Sequence, residues 1–212
     1  MPTERELADA LGVNRTSLRE RLAALESLGL IRRTQGSGTY LSMPDPAFVQ
    51  LYFEMALKLH YFTLEQLEQA RELLERELAY AAAQHATPED AAALSRAAAR
   101  LGAAETAEEG AVADYDFHLA LARASHNPVL LLIIEGLASV LLPVLQYRNR
   151  VAHMSPEADA RLTAVHFPIL EAVRAHDPAA AAGAVDAHFR AWNEEYARAF
   201  PEAPDEFQST SD

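Results

Sequence analysis

The sequence predicts an almost wholly helical protein with one small hairpin, on three grounds. Alanine makes up about a fifth of the chain, only 8 of its 212 residues are glycine, and one helix-start signal recurs along most of its length. Half of the residues are hydrophobic, enough to bury the core of one large domain or two modest ones. The lack of cysteine excludes disulfides and thiolate-held zinc or iron-sulfur sites and makes a cytoplasmic location the expectation. Met1-Pro2-Thr3-Glu4-Arg5 has no signal-peptide character, and the longest apolar run, Val129 to Leu145, is interrupted by Glu135, so no membrane is expected as a partner. The net charge of −13 is unevenly spread: residues 1–42 hold six arginines against five acids, and the remainder holds 12 basic and 26 acidic side chains. Two parts with different electrostatic roles follow.

Two prolines in Ser42-Met43-Pro44-Asp45-Pro46 oppose helix and mark the joint. They divide the chain into a first domain over 1–42, a linker at 43–46, a second domain over 47–199 and a disordered tail over 200–212. Beyond the joint, a side chain that accepts from free backbone amides precedes a proline, whose missing N–H costs nothing at the first helical position. Asp45-Pro46, Thr87-Pro88, Asn127-Pro128, Ser155-Pro156 and Asp177-Pro178 all read this way. Thr63 with Gln66 adds a capping box, and a weaker break falls between Glu105 and Gly110. About seven antiparallel helices in a bundle result.

In the first domain Thr3 caps a helix with Leu7, Ala8 and Leu11 inward, and Gly12 turns the chain. Leu18, Leu22, Leu25 and Leu28 then recur at helical spacing in a second helix, whose exposed start carries Arg15, Thr16, Ser17 and Arg19. Leu30 to Thr34 and Thr39 to Leu41, joined by Gln35-Gly36-Ser37-Gly38, form a hairpin. The sum is a helix-turn-helix with a wing. Such a helix start suits the major groove of DNA, where arginine pairs with guanine and hydroxyls or amides bind phosphate, and a glycine-rich tip admits backbone to phosphate. Taken singly, each arginine reads equally well as a solvated surface residue.

Pro2-Thr3-Glu4-Arg5-Glu6-Leu7-Ala8, Leu11-Gly12-Val13-Asn14-Arg15-Thr16-Ser17-Leu18-Arg19-Glu20, Leu28-Gly29-Leu30 and Gly36-Ser37-Gly38-Thr39 resemble the winged helix of GntR-family bacterial transcription regulators, almost continuously over about forty residues. The resemblance puts Arg5, Arg15, Arg19 and Gly36 on the family's main DNA contacts, with Asn14, Thr16 and Ser17 as helpers. Members of the family begin with a further helix, so this domain is expected to lack its first helix, through a late start codon or a truncation. Part of the apolar face of Leu7, Leu11 and Leu22 is then expected to be exposed.

In the bundle, Asp114 and His118 stand at i and i+4 and share a helix face, whereas Asp116 lies about 200° around and points away. His166 and His188 each lie 11 residues from Asp177, the break between them, so in an antiparallel hairpin both fall at one level, about 16 Å from the bend. If the helix of Asp114 packs on that hairpin, one carboxylate and three imidazoles converge, a set that suits zinc, nickel, manganese or iron. The plainer alternative for any histidine is a surface or hydrogen-bonded position, and His60, His85, His126, His153 and His176 are read so.

Asp114-Tyr115-Asp116-Phe117-His118-Leu119-Ala120-Leu121-Ala122, His126-Asn127-Pro128, His166-x-x-Ile169-Leu170-Glu171-Ala172 and Asp177-Pro178 through His188 resemble the FCD effector domain of the FadR-type GntR subfamily. Arg71-x-x-Leu74-Glu75 is similar to that domain's first long helix. The resemblance implies a divalent metal, zinc being the one most readily kept through purification, held by Asp114, His118, His166 and His188. It also implies a small carboxylic-acid effector met by Arg71, with Arg148 and Arg150 as weaker candidates. The fold class expected is mainly α, a winged helix-turn-helix followed by the helical bundle. The function expected is a metabolite-responsive, homodimeric regulator on operator DNA, not an enzyme. A metal-dependent enzyme using the Asp and three His residues, or a DNA-free dimeric metal- and ligand-binding module, are the alternatives.

Overall fold

The computed structural model describes residues 3–34, 38–42, 45–153 and 155–199. Gly36, Met43 and Pro44 of the linker, and the tail over 200–212 lie outside the described residues. Thr3 starts α1 (Glu4–Leu11) with the expected capping box, its amide donating to the Glu6 carboxylate at 2.8 Å. Gly12, at φ 62°, adopts the left-handed conformation that turns the chain at once toward α2 (Arg15–Ser27), which Asn14 caps. β1 (Ile31–Thr34) and β2 (Gly38–Leu41) pair antiparallel, with Arg33 opposite Thr39. Ala8, Leu18, Leu22 and Ile31 form a small core. Leu22 thus departs from the expected exposure, because the hairpin brings Ile31 against it; Leu11 is 60% exposed and Leu7 partly buried.

Eight helices follow where about seven are expected: α3 (Pro46–Lys58), α4 (Leu64–His85), α5 (Pro88–Gly102), α6 (Ala107–Ala124), α7 (Pro128–His153), α8 (Pro156–Ala164), α9 (Phe167–Arg174) and α10 (Pro178–Ala199). Each expected start is used, and the weak break resolves to Thr106, which caps α6. The additional break separates α8 from α9. Pro168, second in α9, has no N–H for the Ala164 carbonyl and its ring crowds that carbonyl, so the helix restarts at His166. Three helices end in left-handed histidines, His60, His126 and His176, at φ 57°, 53° and 52°. Histidine is among the few side chains that tolerate this conformation, which closes the last helical turn before the next cap.

The main core lies among α4, α5, α6, α9 and α10, where Leu94, Phe117, Leu121, Ile169 and Val185 interleave with alanines. Alanine side chains let these helices approach closely, and the site described below sits at the edge of that cluster. A second cluster joins α3, α4 and α7 through Leu67, Leu137 and Leu141. Contrary to the expectation drawn from Glu135, α7 is one continuous 26-residue helix, long and apolar enough to cross a membrane by length and hydropathy alone. It packs here against α3, α4 and α6, although fewer than a third of the residues in its most apolar stretch are buried.

α3 and α7 meet at Gly136, where a methyl group would lie 2.5 Å from Val49 Cγ1 and 3.2 Å from the Gln50 amide nitrogen. Gly136→Ala is therefore expected to lower stability by about 1–3 kcal/mol in urea unfolding followed by circular dichroism. Gly183→Ala in α10, with no atom within 4 Å of the added methyl, should raise it by about 0.5–1 kcal/mol.

Candidate metal centre

α6 carries Asp114 and His118 one turn apart, the α8–α9 junction carries His166 and α10 carries His188. All four are at most 5% exposed. His166 Nε2 lies 3.0 Å from Asp114 Oδ1, and His118 Nε2 lies 3.8 Å from the same oxygen. The ring of His188 is 4.5 Å from that of His166 and 4.8 Å from that of His118, centroid to centroid. The four residues read from spacing thus come together, and they do so although His166 lies at the start of an eight-residue helix and not inside a long one.

Proton accounting tests what this cluster accepts. His166 Nδ1 faces the carbonyls of Leu162 and Thr163 at 3.1 and 3.2 Å, so it carries the proton, and Nε2 then presents a lone pair. That lone pair faces a carboxylate oxygen, two acceptors opposed at 3.0 Å, which only a cation between or beside them reconciles. His118 Nε2 and His188 Nδ1 are buried with no hydrogen-bond partner among the described residues. Burial raises the Asp114 carboxyl, but the His166 hydrogen bond and the three imidazoles outweigh it and hold that group well below its ordinary value. Burial, together with His166 and His118, pushes His188 well below the usual imidazole value, which keeps its lone pair free. A carboxylate and three imidazoles, some steadied from behind by carbonyl groups, fit a divalent cation.

Beside the cluster is a cavity lined by Arg71, Asp114, Arg148, Asn149, His188, Phe189 and Trp192, among others. Arg71 donates from Nε to Glu75 Oε1 at 2.5 Å, and its guanidinium lies over the Phe189 ring. Arg148 donates to Glu68 at 2.9 Å and lies over Tyr196. Burial raises the Glu68 carboxyl, opposed by Arg148 and Arg71. Arg150 does not join this group. Two residues along a helix rotate about 200°, so it is exposed, over Tyr147, and lines a separate surface hollow with Glu105 and His153. Asp116 points outward to Arg100 at 2.9 Å. His126 meets Asp90, His153 meets Glu105 and Asp159, and His176 meets the Ala83 carbonyl.

Sequence reasoning left Glu75, Glu68, Asn149 and Trp192 without roles. The arrangement of Glu68, Arg71 and Glu75 at i, i+3 and i+7 was a usable signal, since it sets alternating charges on one face of α4. In the amino-terminal part, Arg5, Arg15, Thr16 and Arg19 are exposed, with Arg19 paired to Glu4 at 2.8 Å, and Asn14 accepts from the Ser17 amide.

Residues 1–41 match the bacterial regulatory proteins of the gntR family, and residues 66–191 match the FCD domain. The chain belongs to the GntR family, in its FadR-type branch. The GntR match ends at the last residue of β2, and the FCD match runs from the first turn of α4 into α10. The chain is 34% identical to the HTH-type transcriptional regulator LutR of Bacillus subtilis over 86% of its own length and 84% of the relative's. It is 31% identical to the Glc operon transcriptional activator of Escherichia coli, over 90% of this chain and 77% of that one. The solved structure of Streptococcus agalactiae GntR superposes with a TM-score of 0.64 at 26% identity, covering 92% of this chain and 88% of that one. These GntR relatives are transcription regulators, not enzymes.

Arg71→Met leaves the enclosed Glu75 carboxylate without its guanidinium and should cost about 3–5 kcal/mol in urea unfolding. Arg100→Met, at the exposed pair with Asp116, should change stability by no more than about 1 kcal/mol.

Proposed function

We propose that this GntR regulator senses a small carboxylic acid at a divalent metal held by Asp114, His118, His166 and His188, and that the acid alters its grip on operator DNA. The observation that carries this reading is the convergence of four buried ligands beside a cavity containing two guanidinium groups. The metal would supply a Lewis-acidic anchor for a carboxylate or hydroxyl oxygen. Arg71 takes the remaining negative charge of the acid, with Arg148 beside it. Zinc suits the donor set, as do nickel, manganese and iron.

The winged domain over 1–42 reads DNA with Arg15, Thr16, Ser17 and Arg19 at the start of α2, aided by Arg5, Asn14 and the wing residue Gly36. A pseudo-palindromic operator requires two such helices, hence a homodimer. Support for self-association comes from Phe48, Leu51, Tyr52 and Met55, an exposed apolar stripe at helical spacing on α3, beside the incompletely covered α7. The domain over 47–199 is then both effector and dimerisation unit, the linker at 43–46 is the adjustable element between the two, and the protein works in the cytoplasm. For the acid to act, it must bind the DNA-competent and DNA-incompetent arrangements unequally.

Elemental analysis of purified protein reloaded with zinc should find one ion per chain. Asp114→Ala or His166→Ala should weaken zinc binding by more than the ~10–100-fold that loss of an outer partner costs. Retention of zinc at unchanged affinity by both variants would rule the site out. Fluorescence anisotropy on a duplex selected by this protein from a random pool should show Arg15→Ala losing about 1–3 kcal/mol of affinity. Failure of the protein to select any duplex would remove the DNA reading.

A further inference from the structure

Glu75 is the most completely enclosed acid among the described residues, at 1% exposure, and it does not line the cavity proposed for the effector. A carboxylate in that position is costly unless both of its oxygens are used. Oε1 accepts from Arg71 Nε at 2.5 Å, and Oε2 lies against His118 Nδ1 in an ion-pair contact. Arg71 and the attraction of His118 overcome the effect of burial and keep Glu75 below the ordinary carboxylate value. One buried acid on α4 therefore stands behind an imidazole of the metal cluster on α6 and a guanidinium of the neighbouring cavity.

We infer that Glu75 is a positioning residue for the metal centre. It holds the proton of His118 on Nδ1, so that Nε2 faces Asp114 with its lone pair available, and it fixes the plane of the ring. His166 obtains the same service from the carbonyls of Leu162 and Thr163. His118 has only Glu75: its ring nitrogens make no hydrogen bond to any other described residue. Because Arg71 draws on the same carboxylate, the ring orientation of His118 and the placement of the cationic group in the cavity depend on one side chain. The inference rests on the metal reading given above.

The test uses the full chain loaded with cobalt(II) alone. Affinity is read by competition with a chromophoric chelator, coordination by the visible absorption bands of cobalt, and integrity of the fold by thermal unfolding without metal. Glu75→Gln should lower cobalt affinity about 10–100-fold and shift the bands, the size expected when an outer partner of a ligating histidine is lost. Glu75→Asp keeps the charge beside Arg71 but is one methylene too short to reach both partners, so it should also weaken binding and shift the bands. It serves as the reading if the Gln variant does not fold. Wild-type affinity with unmoved bands in the Asp variant would show that Glu75 acts by charge alone and would overturn the positioning role. Unchanged affinity in both variants would overturn the inference and leave the metal site standing. A wild-type protein that takes up no cobalt would overturn the metal reading and the inference together.

Discussion

A single carboxylate oxygen, Asp114 Oδ1, faces the Nε2 atoms of two imidazoles inside the bundle, with a third imidazole stacked against both. Burying these groups is unfavourable unless a cation is shared among them, and the surroundings are arranged accordingly. With neutral imidazoles, Asp114 and Glu75 bring two negative charges and Arg71 one positive, leaving the pocket one short of neutral. A divalent ion reverses that balance to a single positive charge, the complement of a monocarboxylate. Glu68 and Arg148 cancel one another and leave this tally unchanged. The charge requirement of the metal and the charge preference of the cavity are therefore consequences of one arrangement.

The alanine-rich core is what makes the arrangement possible. Ala79, Ala82 and Ala83 on α4, Ala97 and Ala98 on α5, and Ala181 on α10 let three long helices approach α6 closely enough for short side chains to meet. Phe117 packs edge-on against His118 and His166, and Phe189 against His188, so two large rings wall the cluster off from the rest of the core. The break at Pro168 matters equally: it places His166 at the start of a short helix with its Nδ1 directed at the last carbonyls of α8, an orientation that a continuous helix would not give.

Much of this was legible before any coordinates. Local signals held best: Thr3, Thr63, Thr87, Asn127, Ser155 and Asp177 all cap helices as their spacing required, because a cap depends on three or four neighbouring residues only. Asp114 and His118 follow from helical periodicity, and His166 with His188 from equal distance to a turn. What escaped depends on packing between distant segments. The contact between Gly136 and Val49 needs the crossing of α3 and α7, the burial of Leu22 needs the hairpin, and the part of Glu75 needs α4 set against α6. Arg150 was misjudged for a simpler reason, since its position two residues from Arg148 already places it on the opposite side of α7.

The direct measurement of the central claim is X-ray absorption at the zinc edge of the zinc-loaded protein in solution. The arrangement predicts a first shell of nitrogen and oxygen only, with the outer-shell scattering of three imidazole rings. A spectrum showing one imidazole or none, or a shell completed by water alone, would contradict it.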